Sequence, residues 1–408
     1  MAAFDNLMKI LKVSLNYQYY SEEELSTELN NISIEDSEWG EFADLAVRNS
    51  VAGIIYDVLQ KYFEVPEYAM KRIRSFAYLV CQSNYRIIIL NKQLTELFEK
   101  AGITFCIMKG MAAASDFPVP DLRKAGDIDI LLTNPADLER AISEIEKLGY
   151  RKEEEQHSLH HVSLIDSSRC EIEVHTMLAE PFDNGKINGY IDRLVHECGE
   201  HIVKKEVMGT EIPVLEDAYH AYELLLHMLQ HFLRAGFGIK LLCDWVVLWN
   251  RGLNRQERDR YMTLVNESGI KGFSDVITRT CIKYLGLKRD NVLWMKPFES
   301  GKARDQLEEE TALFMDELMD AEEFGKAKDR MVALRGSGLF AYIREFHHQM
   351  HLNFPRAGRC FLLWPVLWIV TLVRFLRNNR KVRSVSSKEL LANAGKRGKL
   401  VKKMKLFN

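Results

Sequence analysis

The sequence predicts an α+β protein in which a small mixed β-sheet core is flanked by N-terminal and C-terminal helical regions. Residues 1–100 carry apolar side chains at helical spacing with little sign of strands, and the chain again has a helical pattern from about 218 to 355. Between these regions, residues 103–176 contain short apolar runs and alternating segments that are typical of strands. The pattern predicts four parts: 1–102, helical; 103–180, the core; 181–360, mainly helical; and 361–408, an apolar helix with a basic tail.

Helix start and stop signals support the individual elements. Ser21 followed by Glu24 is a capping-box pattern, and Pro66 opens a long amphipathic segment that Gly102 is expected to end. Asn134-Pro135 starts another helix, which is expected to stop before Gly149. Two strand pairs are predicted as well: 161–166 with 170–176, around a turn at Ser167-Ser168, and a pair within about 202–215.

Composition limits the protein class. A chain of 408 residues with 47% apolar residues can form a full core and two or more domains. Its seven cysteines are scattered, odd in number and without a Cys-x-x-Cys pair, which argues against a disulfide framework and a zinc cage. The first residues lack a basic segment followed by an apolar one, so we expect a cytoplasmic protein, with peripheral membrane association left open.

The segment Gly126–Leu132 contains the first candidate functional residues. Alternation in a strand places Asp127 and Asp129 on one face, with Ile128 and Ile130 on the other. Because the isoleucines would fix the strand against a core, the two carboxylates would be held in place. Paired carboxylates are ligands that Mg²⁺ or Mn²⁺ takes readily.

A second alternating segment, Cys170–Thr176, places Glu171, Glu173 and His175 on one face. We predict Glu173 as the third metal ligand and as the group that accepts the proton of an incoming hydroxyl. Glu171 is interpreted as a carboxylate at the rim. His175 is predicted to take part in the site, either by orienting an acceptor or by contacting phosphate.

These elements, in this order, resemble the nucleotidyltransferase superfamily with a DNA polymerase β-like fold. More narrowly, they resemble a bacterial family of uncharacterised nucleotidyltransferases, over about residues 80–250. The motifs that carry the resemblance are Met108-Lys109-Gly110, Leu122-Arg123, Asp127-Ile128-Asp129, Gly149-Tyr150 and Glu173-Val174-His175.

The resemblance implies a metal-dependent enzyme that transfers a nucleoside monophosphate from an NTP to an acceptor hydroxyl and releases pyrophosphate. The acceptor, which could be a protein, an RNA or a small molecule, is left open, and so is the base. The implied site consists of a catalytic set, Asp127, Asp129, Glu173 and His175; a metal-binding set, Asp127, Asp129 and Glu173; and a nucleotide-binding set, Lys109, Gly110 and Arg123.

Departures from the superfamily pattern leave alternatives at these positions. Lys109-Gly110 stands where the wider superfamily usually has Gly-Ser, so no serine hydroxyl is present for the triphosphate. Lys109 could instead be a solvated strand end, and Arg123 could pair with Asp121 or Asp127.

Two other functions are compatible with parts of this pattern. A non-catalytic nucleotide-binding or membrane-associated interaction protein could keep the same fold, but a degenerate relative should lack part of the acidic set, which is intact here. A metal-dependent phosphohydrolase would need a water-positioning residue, and none is identified.

Histidines outside the motifs are interpreted without a catalytic role. His220, His227 and His231 form one stripe on a predicted helix, where core or pocket-lining positions are favoured over zinc binding. His161, at a strand entrance, is interpreted as a polar surface or hydrogen-bonded residue.

The C-terminal part combines an almost unbroken apolar run, 361–373, with a basic tail. Residues 374–408 contain twelve lysines and arginines and one glutamate. The run is too short to span a bilayer. A buried closing helix followed by a mobile tail from about residue 384 is favoured. An interfacial anchor on anionic lipid is the alternative, and RNA is a third partner for the tail.

Overall fold

A computed structural model describes most of the chain. The described residues are 2–153, 161–167, 170–182, 184–234, 236–295, 302–319 and 360–382, with a few positions in 347–357 and 403–406. Within them the chain forms a seven-stranded mixed sheet surrounded by helices. The predicted α+β class is confirmed.

The sheet has the strand order β3-β4-β5-β2-β1-β7-β6. Strands β2 and β5 are parallel neighbours, β1 pairs with β2 antiparallel, and β7 joins the other side of β1 in parallel. Both predicted hairpins are present, as β4 with β5 and β6 with β7. The strands are β1 Phe105–Met108, β2 Ile128–Leu132, β3 Arg151–Lys152, β4 His161–Ile165, β5 Glu171–His175, β6 Ile202–Val207 and β7 Thr210–Leu215.

The helices of the described residues are α1 Ala2–Asn16, α2 Glu22–Asn30, α3 Trp39–Arg48, α4 Ala52–Tyr62, α5 Glu67–Ala101, α6 Lys109–Ala114, α7 Leu138–Glu146, α8 Gly185–Glu197, α9 Asp217–Arg234, α10 Ile239–Asn250, α11 Arg255–Glu267, α12 Lys271–Tyr284, α13 Lys302–Met319 and α14 Trp364–Val382. The predicted capping box at Ser21 and Glu24 forms at the start of α2. Helix α5 ends at Gly102, whose φ of 65° is a left-handed conformation that glycine adopts without a Cβ clash.

One face of the sheet packs against helices α5 and α7. Ile107, Ile130 and Ile172 belong to the same buried cluster as Leu94 and Phe98 of α5. Full burial of side chains of this size stabilises the fold by about 1.5–3 kcal/mol each. The apolar positions of the central strands are thereby fixed on this face.

Register places the polar positions of the central strands beside one another. Asp129 of β2 lies opposite Glu173 of β5, and His161 of β4 lies opposite His175. Because alternate side chains point to opposite faces, these four residues are directed away from the core formed with α5.

The chain divides into two compact units. Residues 1–228 and 239–298 form the larger, which contains the whole sheet, and 229–238 with 299–406 form the smaller. The sheet crosses the boundary predicted at 180–181, because β7 pairs with β1. The four-part division stays a prediction.

The apolar run of the smaller unit corrects one interpretation. The favoured buried closing helix is wrong for most of this segment, since Leu362 is 72%, Val366 59% and Ile369 63% exposed. Within 364–373, the part of α14 whose side chains are described, only Leu367 and Thr371 are buried. The predicted mobile tail from residue 384 lies almost entirely outside the described residues. Among the residues described, no helix has the length and apolarity to cross a membrane.

Candidate metal and nucleotide site

Three carboxylates come together at the polar side of the central strands. Asp127 immediately precedes β2, Asp129 lies within it, and Glu173 lies in the neighbouring β5. One oxygen from each of these carboxylates lies within 4.8 Å of the others. The set predicted to bind metal is therefore brought together, although its metal binding stays a prediction.

Asp129 is the central member of the group and is 3% exposed. Its Oδ1 accepts a hydrogen bond from Lys109 Nζ at 2.7 Å and lies 2.9 Å from His175 Nε2. The same histidine nitrogen lies 3.2 Å from Glu173 Oε2. His175, 2% exposed, thus bridges the two neighbouring carboxylates.

The pKa values of Asp127 and Asp129 are shifted in opposite directions. Burial, followed by the negative charges of Asp129 and Glu173, raises the pKa of Asp127 to about 7. Burial also acts to raise the pKa of Asp129, but Lys109 and His175 outweigh it and hold that pKa well below its usual value. The site therefore holds more negative charge than its own cations neutralise, a condition that favours a bound cation.

The turn Lys109-Gly110 brings the lysine to this group. Lys109 has a φ of 45°, which is unusual for a residue with a Cβ. Burial raises the pKa of the Glu223 carboxyl, on α9, to about 7, and the charge and backbone N–H of Lys109 act in part to lower it. A Cβ at Gly110 would lie 3.3 Å from the carbonyl oxygen of Asp127, so glycine allows the turn to approach β2 closely.

Arg123 lies behind the turn. Its guanidinium donates to both carboxylate oxygens of Asp244, at 3.0 and 2.5 Å, and to the Gly110 carbonyl oxygen at 3.0 Å. Arg123 and Asp244 are 2% and 1% exposed. The partner of Arg123 is therefore Asp244 on α10 rather than Asp121 or Asp127, and contact of Arg123 with a nucleotide stays a prediction.

The loop that carries Arg123 is attached to α5 by one amide. Asn84 Nδ2 donates to the carbonyl oxygens of Asp121 and Arg123, at 2.9 and 2.7 Å, and Asn84 Oδ1 accepts from the Ala125 N–H at 3.2 Å. Because Asn84 is fully buried, these bonds are shielded from water.

Sequence comparison gives this arrangement a family. A family model described as uncharacterised nucleotidyltransferases matches residues 35–286, more than half of the chain. The chain belongs to this family. The match includes the central strands and every residue of the candidate site described above, and it supports a general nucleotidyltransferase function.

Other comparisons add little. Among solved structures, an antigenic nucleotidyltransferase-like protein from Paracoccidioides brasiliensis is similar, with 12% identity, a TM-score of 0.31, and coverage of 49% of this chain and 92% of that chain. A TM-score of this size carries no argument. No curated protein shows significant similarity to the chain.

In this member of the family, some residues near the site were not predicted from the sequence. His161 Nε2 lies 3.5 Å from Glu173 Oε1. The predicted hairpin could have identified it, because pairing outward from the turn places His161 opposite His175. The sequence predicted no role near the site for Glu223 or Asp244, which reach it from helices distant in sequence.

Two further polar positions agree with their interpretations. Burial raises the pKa of Glu171, which Ser163 acts in part to lower, and this carboxylate lies outside the three-carboxylate group. His220 is 2% exposed, with its ring nitrogens 3.8 Å from carboxylate oxygens of Asp116 and Glu223. It is the buried core residue that the helical stripe predicts.

Proposed function

We propose that the protein transfers a nucleoside monophosphate from a Mg²⁺- or Mn²⁺-bound NTP to an acceptor hydroxyl and releases pyrophosphate, using a DNA polymerase β-like catalytic arrangement. One observation carries the proposal: three carboxylates converge within 4.8 Å beside a lysine, in a chain of a nucleotidyltransferase family.

The donor set fits a hard divalent cation. Asp127, Asp129 and Glu173 offer only carboxylate oxygens, which Mg²⁺ and Mn²⁺ prefer. Burial first, and then the negative charges of Asp129 and Glu173, raise the pKa of Asp127, and a cation would neutralise those charges. When bound, such ions would neutralise phosphate charge and bring the attacking and leaving oxygens together.

Three residues of the chain would then have separate roles in the transfer. Lys109, 18% exposed, can direct its ammonium group towards a phosphate oxygen while it remains next to Asp129. Glu173, also 18% exposed, is accessible to an incoming hydroxyl and can accept its proton. The buried ring of His175 fixes the separation of Asp129 and Glu173.

The test is a transfer assay with full-length protein. The protein, alone and with cell lysate, is incubated with each α-labelled NTP and either Mg²⁺ or Mn²⁺, and labelled products are separated by size and chemistry. We expect the α-label on one class of acceptor, with equimolar pyrophosphate. Binding of NTP without transfer to any acceptor would favour the non-catalytic alternative, whereas release of free monophosphate would favour hydrolysis.

A further inference from the structure

We propose that His161, Glu173 and His175 form a second metal site, for a divalent ion of the zinc class, directly beside the three-carboxylate site. The proposal deepens the proposed function and rests on it in one respect, because Glu173 belongs to both sets.

The geometry supports a ligand set. Ligand atoms of the three residues lie within 4.8 Å of one another, with nitrogen-to-oxygen distances of 3.5 Å for His161 and 3.2 Å for His175. Ligands at about 2.0–2.2 Å from a tetrahedral ion lie roughly 3.3–3.6 Å apart. Modest side-chain adjustments would therefore complete the site.

The ligand types differ from those of the neighbouring site. Two imidazoles with one carboxylate are the three-ligand set of many catalytic zinc sites, which leave a further position for water or substrate. Imidazole nitrogen favours zinc and related transition metals, whereas the all-carboxylate set favours Mg²⁺ or Mn²⁺. The two sets can therefore select different ions while sharing Glu173.

The positions of the two histidines and the rigidity of their hairpin also support a metal site. His161 and His175 are directly paired across β4 and β5, so the hairpin fixes their separation. His161 is 15% and Glu173 18% exposed, which gives an ion access from one side. Hydrogen bonds are the competing explanation, but His175 Nε2 faces Asp129 as well as Glu173, and its single proton can be directed well at only one oxygen. In the proposed site the cation binds the Nε2 lone pair of His175 together with Glu173, and Asp129 keeps its hydrogen bond from Lys109.

Cobalt is the probe, because Co²⁺ replaces zinc and its visible spectrum reports ligand type. Untagged full-length protein, stripped of metal and supplied with excess Mg²⁺, is titrated with Co²⁺ and then with Zn²⁺. We expect one Co²⁺ per chain with a low-coordinate visible spectrum, displaced by one equivalent of Zn²⁺. Absence of Co²⁺ binding under Mg²⁺ excess would overturn the proposal.

Variants test direct ligation. His161→Asn should weaken Co²⁺ binding by at least about 10–100-fold, the range caused by losing even an indirect metal partner. His161→Cys should restore binding and add a sulfur-to-cobalt charge-transfer band, which a merely structural role would not produce. His196→Asn, an exposed histidine on α8, is the matched control and should bind Co²⁺ as the wild type does. Equal binding by His161→Asn, or no new band in a folded His161→Cys protein, would contradict direct ligation.

The two proposals can fail separately. Calorimetry of Mg²⁺·NTP binding to His161→Asn should show affinity close to that of wild type, because Asp127 and Asp129 are unchanged. If wild-type protein binds Co²⁺ as expected but neither binds nor transfers NTP, the proposed function fails and the zinc-class site stands.

A different observation carries a second inference: we propose that the exposed face of α14 binds an anionic lipid surface. Phe361 and Leu362 precede the helix, and Val366, Ile369 and Val373 continue the exposed apolar surface along it. Large contiguous apolar surface is unusual on a protein that has no partner.

The charge of the segment that follows the apolar run indicates which kind of partner binds α14. The apolar run is followed in sequence by Arg374, Arg377, Arg380 and Lys381, and residues 374–408 have one acidic residue. An apolar helix face with a basic flank is the pattern of interfacial helices, and each lysine or arginine near an anionic surface contributes about 1 kcal/mol to attraction. A second protein copy would bring the same positive charges together, which disfavours self-association.

Flotation of full-length protein with liposomes tests this inference. We expect binding to phosphatidylserine-containing vesicles, weaker binding to pure phosphatidylcholine, and release at about 1 M salt. Val366→Ser with Ile369→Ser should reduce binding by roughly tenfold or more. The matched control replaces two exposed apolar residues of α5, Leu79→Ser with Ile89→Ser, and should bind as the wild type does. Lipid-independent dimerisation through α14, or equal binding by the α14 variant, would overturn the inference.

Discussion

Two clusters of charge lie on either side of the Lys109-Gly110 turn, and they are built differently. Behind the turn, Arg123 and Asp244 form a closed, bidentate pair that is almost inaccessible to water. In front of it, Asp127, Asp129 and Glu173 face one lysine and the imidazoles, and Glu173 and Lys109 remain partly exposed.

This difference indicates a structural role for the first cluster and a role in ligand binding and catalysis for the second. A buried pair whose charges cancel can hold a loop in place, whereas a group with excess negative charge and an opening can recruit a cation. Removing a member of the first cluster should therefore affect stability, and removing a member of the second should affect binding and turnover.

The largest expected effect is on catalysis. Glu173→Gln should lower transfer by about 10²–10⁴-fold, the range for a lost acid-base group, while NTP binding is largely kept. Glu171→Gln is the matched control, because it removes a carboxylate from the same strand face outside the three-carboxylate group. The assay is single-turnover transfer of α-label, and equal loss in both variants would show that Glu173 was wrongly chosen.

The closed pair should control stability. Asp244→Ala leaves Arg123 buried without its counter-charge, which should cost about 3–5 kcal/mol in the free energy of unfolding. Urea denaturation followed by tryptophan fluorescence measures the change. The double variant Arg123→Met with Asp244→Leu should recover much of that loss. If the single and double variants are equally destabilised, packing rather than charge accounts for the effect.

The two aspartates of the open group should also differ from each other. Asp127→Asn with Asp129→Asn should abolish measurable Mg²⁺·NTP binding in calorimetry, because the charge that attracts the ion is removed. Asp127→Asn alone should leave metal-free stability unchanged or slightly higher, since this carboxylate is held beside like charges. Unchanged binding by the double variant would remove the metal assignment.

The smallest effect concerns pH and His220. Burial first, and then the positive charges of Lys205 and Arg251, lower the pKa of His220 to about 3, while the negative charge of Asp217 acts in the opposite direction. Between pH 6.5 and 3 the unfolded chain binds this proton and the folded chain does not, so stability falls as pH falls.

Replacing this residue should flatten that dependence. His220→Gln should lose less stability than wild type between pH 7 and pH 5, by on the order of 1–2 kcal/mol. Parallel urea titrations at the two pH values provide the measurement. An identical pH dependence in both proteins would mean that His220 becomes protonated inside the fold.

The sequence alone determined the local parts of this protein. Strand alternation separated Asp129 from Ile130 within β2 and Glu173 from Ile172 within β5, and cap residues placed the start of α2 and the end of α5. These features depend on backbone geometry within a few residues, and backbone geometry has a fixed period.

Only the tertiary structure decided which distant groups meet. Arg123 pairs with Asp244, 121 positions away, although Asp121 and Asp127 are nearer in sequence, and Glu223 reaches the Lys109 turn from α9. Likewise, the apolarity of residues 361–373 favoured burial, yet most of that surface is exposed. Hydrophobicity and charge specify that a group needs a partner, but the packing of whole helices and strands determines which partner lies within reach.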